Sequence, residues 1–173
     1  ALNATQTIEF FYGDNTVSGG AAVAPATSGP NVFSVMQKST GGGSLTPVAG
    51  TQTVNVLSAD GSGTANIAPT TVLAGTTTTE TLTYTAATGG MATGGQVTMV
   101  VPANWSAPQI TTNNAAGYTT VSVNGAGRTT TGLAISGAGP WTITYTLAAA
   151  LNATQPIEFF YGDNTVSGGA AVA

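Results

Sequence analysis

Residues 141–147 read WTITYTL, and no other stretch of the chain alternates so cleanly. Trp141, Ile143 and Tyr145 fall on one side of an extended strand and Thr142, Thr144 and Thr146 on the other, an apolar face inward and a threonine face outward. Working outward, runs of the same kind recur at 6–12, 31–38, 51–57, 64–67, 77–86, 96–101, 118–123 and 129–135, each bounded by Gly, Asn, Pro or Asp. This spacing is that of an all-β, antiparallel sandwich. Threonine is the commonest residue, and with Val, Ile, Tyr and Phe it suits a pleated, half-buried strand. Helix formers such as Lys, Glu and Leu are scarce, so helix is expected to be nearly absent.

Just beyond that strand the chain repeats itself. Residues 150–173, ALNATQPIEFFYGDNTVSGGAAVA, match residues 1–24 at every position except Pro156 against Thr7. The offset, 150 − 1 = 149 residues, exceeds the roughly 20–50 residues of solenoid and propeller repeats. It is the size of a whole domain, so the chain reads as a window cut from a tandem array of near-identical modules. The Gly- and Asp-rich stretch 58–63, which contains ADGSG, is the best linker. On that division residues 1–58 are the C-terminal strands of one module and residues 61–173 the N-terminal and central strands of the next. The latter would be finished by the next copy's equivalents of 25–57, or by strand addition from a neighbour.

Composition narrows the function classes. A domain of about 150 residues buries a sizeable core without disulfides or metals. The 173 residues include two basic and six acidic side chains, a net charge of −4, with no cationic cluster of the kind a phosphate backbone requires, so nucleic acid is not expected as a partner. Cysteine and histidine are absent, which removes thiol chemistry, the usual zinc and haem ligands and the usual neutral-pH general base. Only 5% of residues are charged against about one quarter in ordinary soluble domains, and a polar surface of Thr, Ser, Asn and Gly suits the outside of a cell. No run of 18 apolar residues offers a membrane span.

The segments GGQVTMVVPANWSAP, NNAAGYTTVSV, WTITYTL, IEFFYGDN and APATSGPNVFSVMQKSTGGGSLTPV resemble the immunoglobulin-like tandem repeats of very large bacterial cell-surface proteins of the fibre and adhesin type. The likeness rests on Val101, Pro102, Trp105, Ser106 and Pro108, on Gly117 and Tyr118, and on Phe33, Lys38, Ser39, Thr40, Gly42, Gly43, Leu45 and Thr46. It covers most of one period and implies an immunoglobulin-like sandwich in a surface fibre, stalk or adhesin, with no catalytic residues to carry over. The scarcity of charge sets the chain apart from calcium-stiffened versions of such repeats.

The candidate sites are few. Asp14, Asp60 and Asp163 are the acids nearest possible module junctions and the candidates for calcium. That ion takes six to eight oxygens, usually with several carboxylates, and single acids in turn sequences are more simply read as turn residues, so no cofactor is expected. Phe11, Tyr12, Asp60 and Phe160 are candidates for contact between modules. Asn3, Asn104 and Asn152 sit in N-x-Ser/Thr sequons, which arise by chance in a chain so rich in threonine. Lys38, the single lysine, could form an amide cross-link beside Glu9 or Glu80 if buried, or guard an exposed edge strand. Glu9 with Asp14, or Glu158 with Asp163, has no evident reason to converge as a glycosidase pair. Phe10, Phe11, Tyr12, Trp105 and Trp141 could stack on sugar, but their alternation makes most of them core. The expected function is structural rather than enzymatic: a repeat unit of an extracellular filament or coat, each module adding roughly 40 Å, with neighbouring copies as partners. The alternative is a stalk or glycan- or cell-binding module of an adhesin.

Overall fold

The structure, a computed structural model, describes residues 5–16, 18–165 and 171–172. Every regular element among them is a β-strand, and neighbouring strands run antiparallel. The chain divides into two compact units, Ala1–Ser58 and Ala59–Ala173.

In the first unit β1 (Gly29–Phe33) pairs with β4 (Gln52–Val56), and inside that hairpin β2 (Met36–Gln37) pairs with β3 (Thr46–Pro47). Two-stranded sheets of this kind are marginal alone, because one ribbon has no second layer to bury its apolar face against. None of the unit's described residues is buried, and Val32, Phe33, Met36, Leu45 and Val54 all stand exposed.

The second unit contains β5 (Thr64–Ala68), β6 (Thr77–Thr78), β7 (Glu80–Thr85), β8 (Gln96–Val101), β9 (Thr119–Val123), β10 (Leu133–Gly137), β11 (Trp141–Thr146), β12 (Pro156–Tyr161) and β13 (Ala171–Val172). One sheet has the order β5-β7-β12-β9, another β10-β11-β8, and β6 pairs with β13. The inward residues of the two larger sheets meet in one core. Met99 and Val101 of β8, Leu133 of β10, and Ile143 and Tyr145 of β11 pack with Val121 of β9 and with Ile157, Phe159 and Tyr161 of β12. That is the sandwich-like layering the alternation in WTITYTL anticipates, with Ile143 and Tyr145 buried and the threonines between them half-exposed.

Local chemistry explains where expected strands broke. The run 129–135 splits at Gly132, whose φ of +84° turns the chain where an added Cβ would lie 2.8 Å from the Tyr145 ring. Thr129 therefore bridges Val121, while β10 pairs with β11. The run 77–86 changes sheets at Thr79, whose hydroxyl donates to the Gly162 carbonyl at 2.6 Å. The glycine before Tyr118 has a similar cause. Gly117 has φ +76°, and a Cβ there would sit 2.1 Å from the Ala107 carbonyl oxygen. The run 6–12 is the largest departure, because it forms no strand at all.

Candidate functional site

The site with most to say about function is the slot that β12 fills. Ile157, Phe159 and Tyr161 point into the core and Glu158 and Phe160 to the outer face, as period-two alternation requires. The slot lies between β7 and β9: Phe159 stands opposite Leu82 on one side and Val121 on the other, and Tyr161 opposite Glu80 and Thr119. Three inward side chains of this size each contribute about 1.5–3 kcal/mol through burial.

The outer face is closed by one charged cluster. The Arg128 guanidinium lies 3.6 Å from the centre of the Phe160 ring and donates to Asp163 Oδ1 at 2.5 Å and to the Thr165 hydroxyl at 2.7 Å. Asp163 is fully buried and, besides the Arg128 bond, accepts three more: Thr120 Oγ1 at 2.5 Å on Oδ2, and the Thr165 amide and hydroxyl at 3.0 and 2.7 Å on Oδ1. Burial alone would raise its pKa, but the Thr120 and Thr165 hydrogen bonds and the Arg128 charge outweigh it and hold the carboxyl below the ordinary value.

The inner end of the slot is polar as well. The Tyr161 hydroxyl donates to the Ser106 carbonyl, and its ring meets Trp105 at 6.1 Å and 54°. Burial pushes the phenol up to about 12, with the Glu80 charge adding to the effect. Glu80 is itself buried, accepts from Thr78 Oγ1 at 3.2 Å, and is raised by desolvation. These two groups border a small, mainly apolar pocket of about 200 Å³ with Ile67, Met99, Val101 and Trp105.

The same sequence meets other surroundings at 6–12. Phe10 is 85% exposed where its counterpart Phe159 is 0%, and Tyr12 is 78% exposed where Tyr161 is 1%. Ile8 and Phe11 are exposed too, and Tyr12 makes a tilted ring contact with Phe33 at 6.3 Å. The turn after it is nevertheless the same in both copies. Gly13 and Gly162 have φ of 72° and 74°, and Asp14 Oδ1 accepts the Thr16 amide and hydroxyl at 2.9 and 2.6 Å, as Asp163 does from Thr165.

The remaining sequence candidates are placed as follows. Of the calcium candidates, Asp163 has its oxygens occupied by Arg128 and the threonines, Asp14 serves its own turn, and Asp60 lines an open cleft of about 580 Å³ beside Ser62, Tyr84 and Gln96 with no second carboxylate in its lining. Among the described residues no three His, Cys, Asp or Glu side chains group together. Of the contact candidates, Phe11, Tyr12 and Asp60 are exposed, while Phe160 is covered within its own unit by Arg128, a partner that sequence spacing gave no means of finding. Asn104 and Asn152 are exposed in turns, and Asn3 lies outside the described residues. Lys38 is exposed and donates to the Gly41 carbonyl at 3.3 Å, so it lacks the buried setting an amide cross-link needs. Trp105 and Trp141 pack on the core, leaving Phe10, Phe11 and Tyr12 as the exposed aromatics of the sugar-stacking set. No helix among the described residues is long and apolar enough to cross a membrane. Compared with protein-family models, with curated proteins and with solved structures, the chain matches none.

Proposed function

We propose that the chain is a structural repeat unit of a secreted or cell-surface filament or coat, in which near-identical β modules join through their strands or end on. One observation carries this reading: a segment that forms the buried centre of a sheet at 157–161 occurs again at 8–12 with its apolar side chains in solvent. An exposed apolar run of this size marks a surface that is covered in the working state. The first unit as a whole, with no buried residue among those described, points the same way. The sparse charge and the threonine-rich outer faces suit a weakly charged extracellular polymer.

The immunoglobulin-like assignment draws support from the division into four and three antiparallel strands around one core. In chain order these seven strands run 1-2-7-4 and 5-6-3, where an immunoglobulin constant domain has 1-2-5-4 and 3-6-7. The likeness therefore lies in the layering, and the fifth and seventh strands are exchanged.

Electron microscopy of native material tests the function. Filaments with a regular axial repeat are expected. Single flexible threads ending in a distinct, non-repeated tip, or capture of glycan by the isolated chain, would move the protein to the adhesin class.

A further inference from the structure

We propose that residues 6–12 are a donor strand whose acceptor is the slot between β7 and β9 in a second copy of this chain. The inference deepens the assembly reading and rests on it, since it names both the partner and the register through which copies join. The occupant is identified by sequence. From Ile8 to Thr16 the segment is residue for residue the one that fills the slot from Ile157 to Thr165. Ile8, Phe10 and Tyr12 would enter the positions of Ile157, Phe159 and Tyr161, and Phe11 would pass beneath the acceptor's Arg128. Asp14 would take the four hydrogen bonds now made by Asp163, two of which it already makes to its own Thr16.

The one differing position favours transfer. Pro156 accepts from the Asn124 amide at 2.8 Å but has no N–H to return, whereas Thr7 carries one. The exchange thus loses no contact at that place and offers the edge of β9 one more donor. Because the incoming strand only replaces an identical one, the balance is set by linkage. A strand tethered in its own chain has an effective concentration in the millimolar range, so at about 100 µM chain an intact slot would be filled from another copy roughly one-tenth as often. Where the resident strand is disabled, the donor should win outright. Donor and slot are different segments of the chain, so the contact is heterologous, and such contacts join successive copies head to tail, into open filaments where the rotation does not close a ring.

The register makes the test specific, and the absence of cysteine from the chain makes it clean. Glu158 stands opposite Thr83 on the outer face. Since Pro156 directs its carbonyl at Asn124 beyond β9, the even-numbered residues of β12 turn their backbone groups toward β9, and Glu158 and Thr83 form a non-hydrogen-bonded pair with close Cβ atoms. A donor chain of residues 1–173 carrying Glu9→Cys is refolded with an acceptor chain of the same residues carrying Thr83→Cys, Phe10→Asp and Phe159→Asp, which disables both of its own strands. The expected result is a disulfide-linked heterodimer through positions 9 and 83, with tryptophan burial restored in the acceptor. Moving the acceptor cysteine to Thr85→Cys, two residues out of register, should reduce the linked fraction at least tenfold. An acceptor with Thr83→Cys alone, its β12 intact, should link at about one-tenth of the chains at 100 µM, which covers the case in which the triple variant precipitates. The control is Glu158→Cys with Thr83→Cys in one chain, which should close internally.

If that control closes and no 9–83 link forms with either acceptor, the donor-strand inference is overturned. Equal linking at 83 and 85 overturns it too, since it would report adhesion without register. The filament reading is scored separately on native material: it survives a missing cross-link, and a cross-link without native filaments would remove it while leaving strand transfer standing.

Discussion

Asp14 and Asp163 occupy the same place in two copies of one sequence, and the difference in their surroundings is the sharpest residue-scale result. Both accept the amide and hydroxyl of a threonine two residues on, but only Asp163 also holds Arg128 and Thr120. Asp163→Asn should therefore destabilise the second unit by about 3 kcal/mol, since it leaves a partly buried guanidinium without its charge partner, and Asp14→Asn should change stability by less than about 0.5 kcal/mol. Urea unfolding followed by tryptophan fluorescence measures this directly, because both tryptophans, Trp105 and Trp141, lie in the second unit. The pH dependence has two sides. Asp163 is lowered from 3.8, so its stabilisation is complete above that value and is lost as pH falls through the folded pKa. Glu80 is raised from 4.5 and Tyr161 from 10.0 to about 12, so the folded state holds these protons more tightly and stability is lost as pH rises through each window. Melting temperature should then be highest near pH 4, decline above 4.5 in a step that Glu80→Gln removes, and fall again above pH 10 by roughly 2–3 kcal/mol of stability in a step that Tyr161→Phe removes.

At the scale of elements, the run 6–12 and strand β12 show that alternation alone does not make a strand. An extended segment leaves its backbone N–H and C=O groups to be satisfied from both sides, and β12 has β7 and β9 there. Phe159→Ala should cost about 3–5 kcal/mol through the cavity it leaves, whereas Phe10→Ala should stay within about 0.5 kcal/mol. Brief chymotrypsin digestion of the native chain is expected to cut after Phe10, Phe11 or Tyr12 and to spare Phe159, Phe160 and Tyr161; cleavage at both copies at similar rates would contradict the assignment of β12 to the core. The breaks at Gly132 and Thr79 were legible only in part, since a glycine within a threonine run signals a turn, but Thr79's bond to Gly162 spans 83 residues and no local pattern announces it.

At the scale of the whole molecule, two units of unlike character share one chain: one in which the seven strands of two sheets close over a core, and one built on a hairpin, β1–β4 with β2–β3 inside it, whose large apolar side chains stay in solvent. Because the oxygens of Asp163 are taken by Arg128 and threonine donors, a chelator should leave the melting temperature unchanged within about one degree; a fall of several degrees would mean that a cation stabilises the fold through another set of oxygens. Much of this architecture is readable from residue order, because its cause is local. The strand-rich character, without helix among the described residues, follows from two-residue alternation, and the turns at Asp14 and Asp163 recur with φ within 2° at the preceding glycine because the threonine bonds they share reach only two residues along the chain. What only the tertiary structure decided is which copy of that segment is buried, which strands flank it, and that Arg128 pairs with Asp163 across 35 residues. The reason is physical: a turn is completed by its own side chains, whereas a strand is completed by neighbours that the strand itself does not encode.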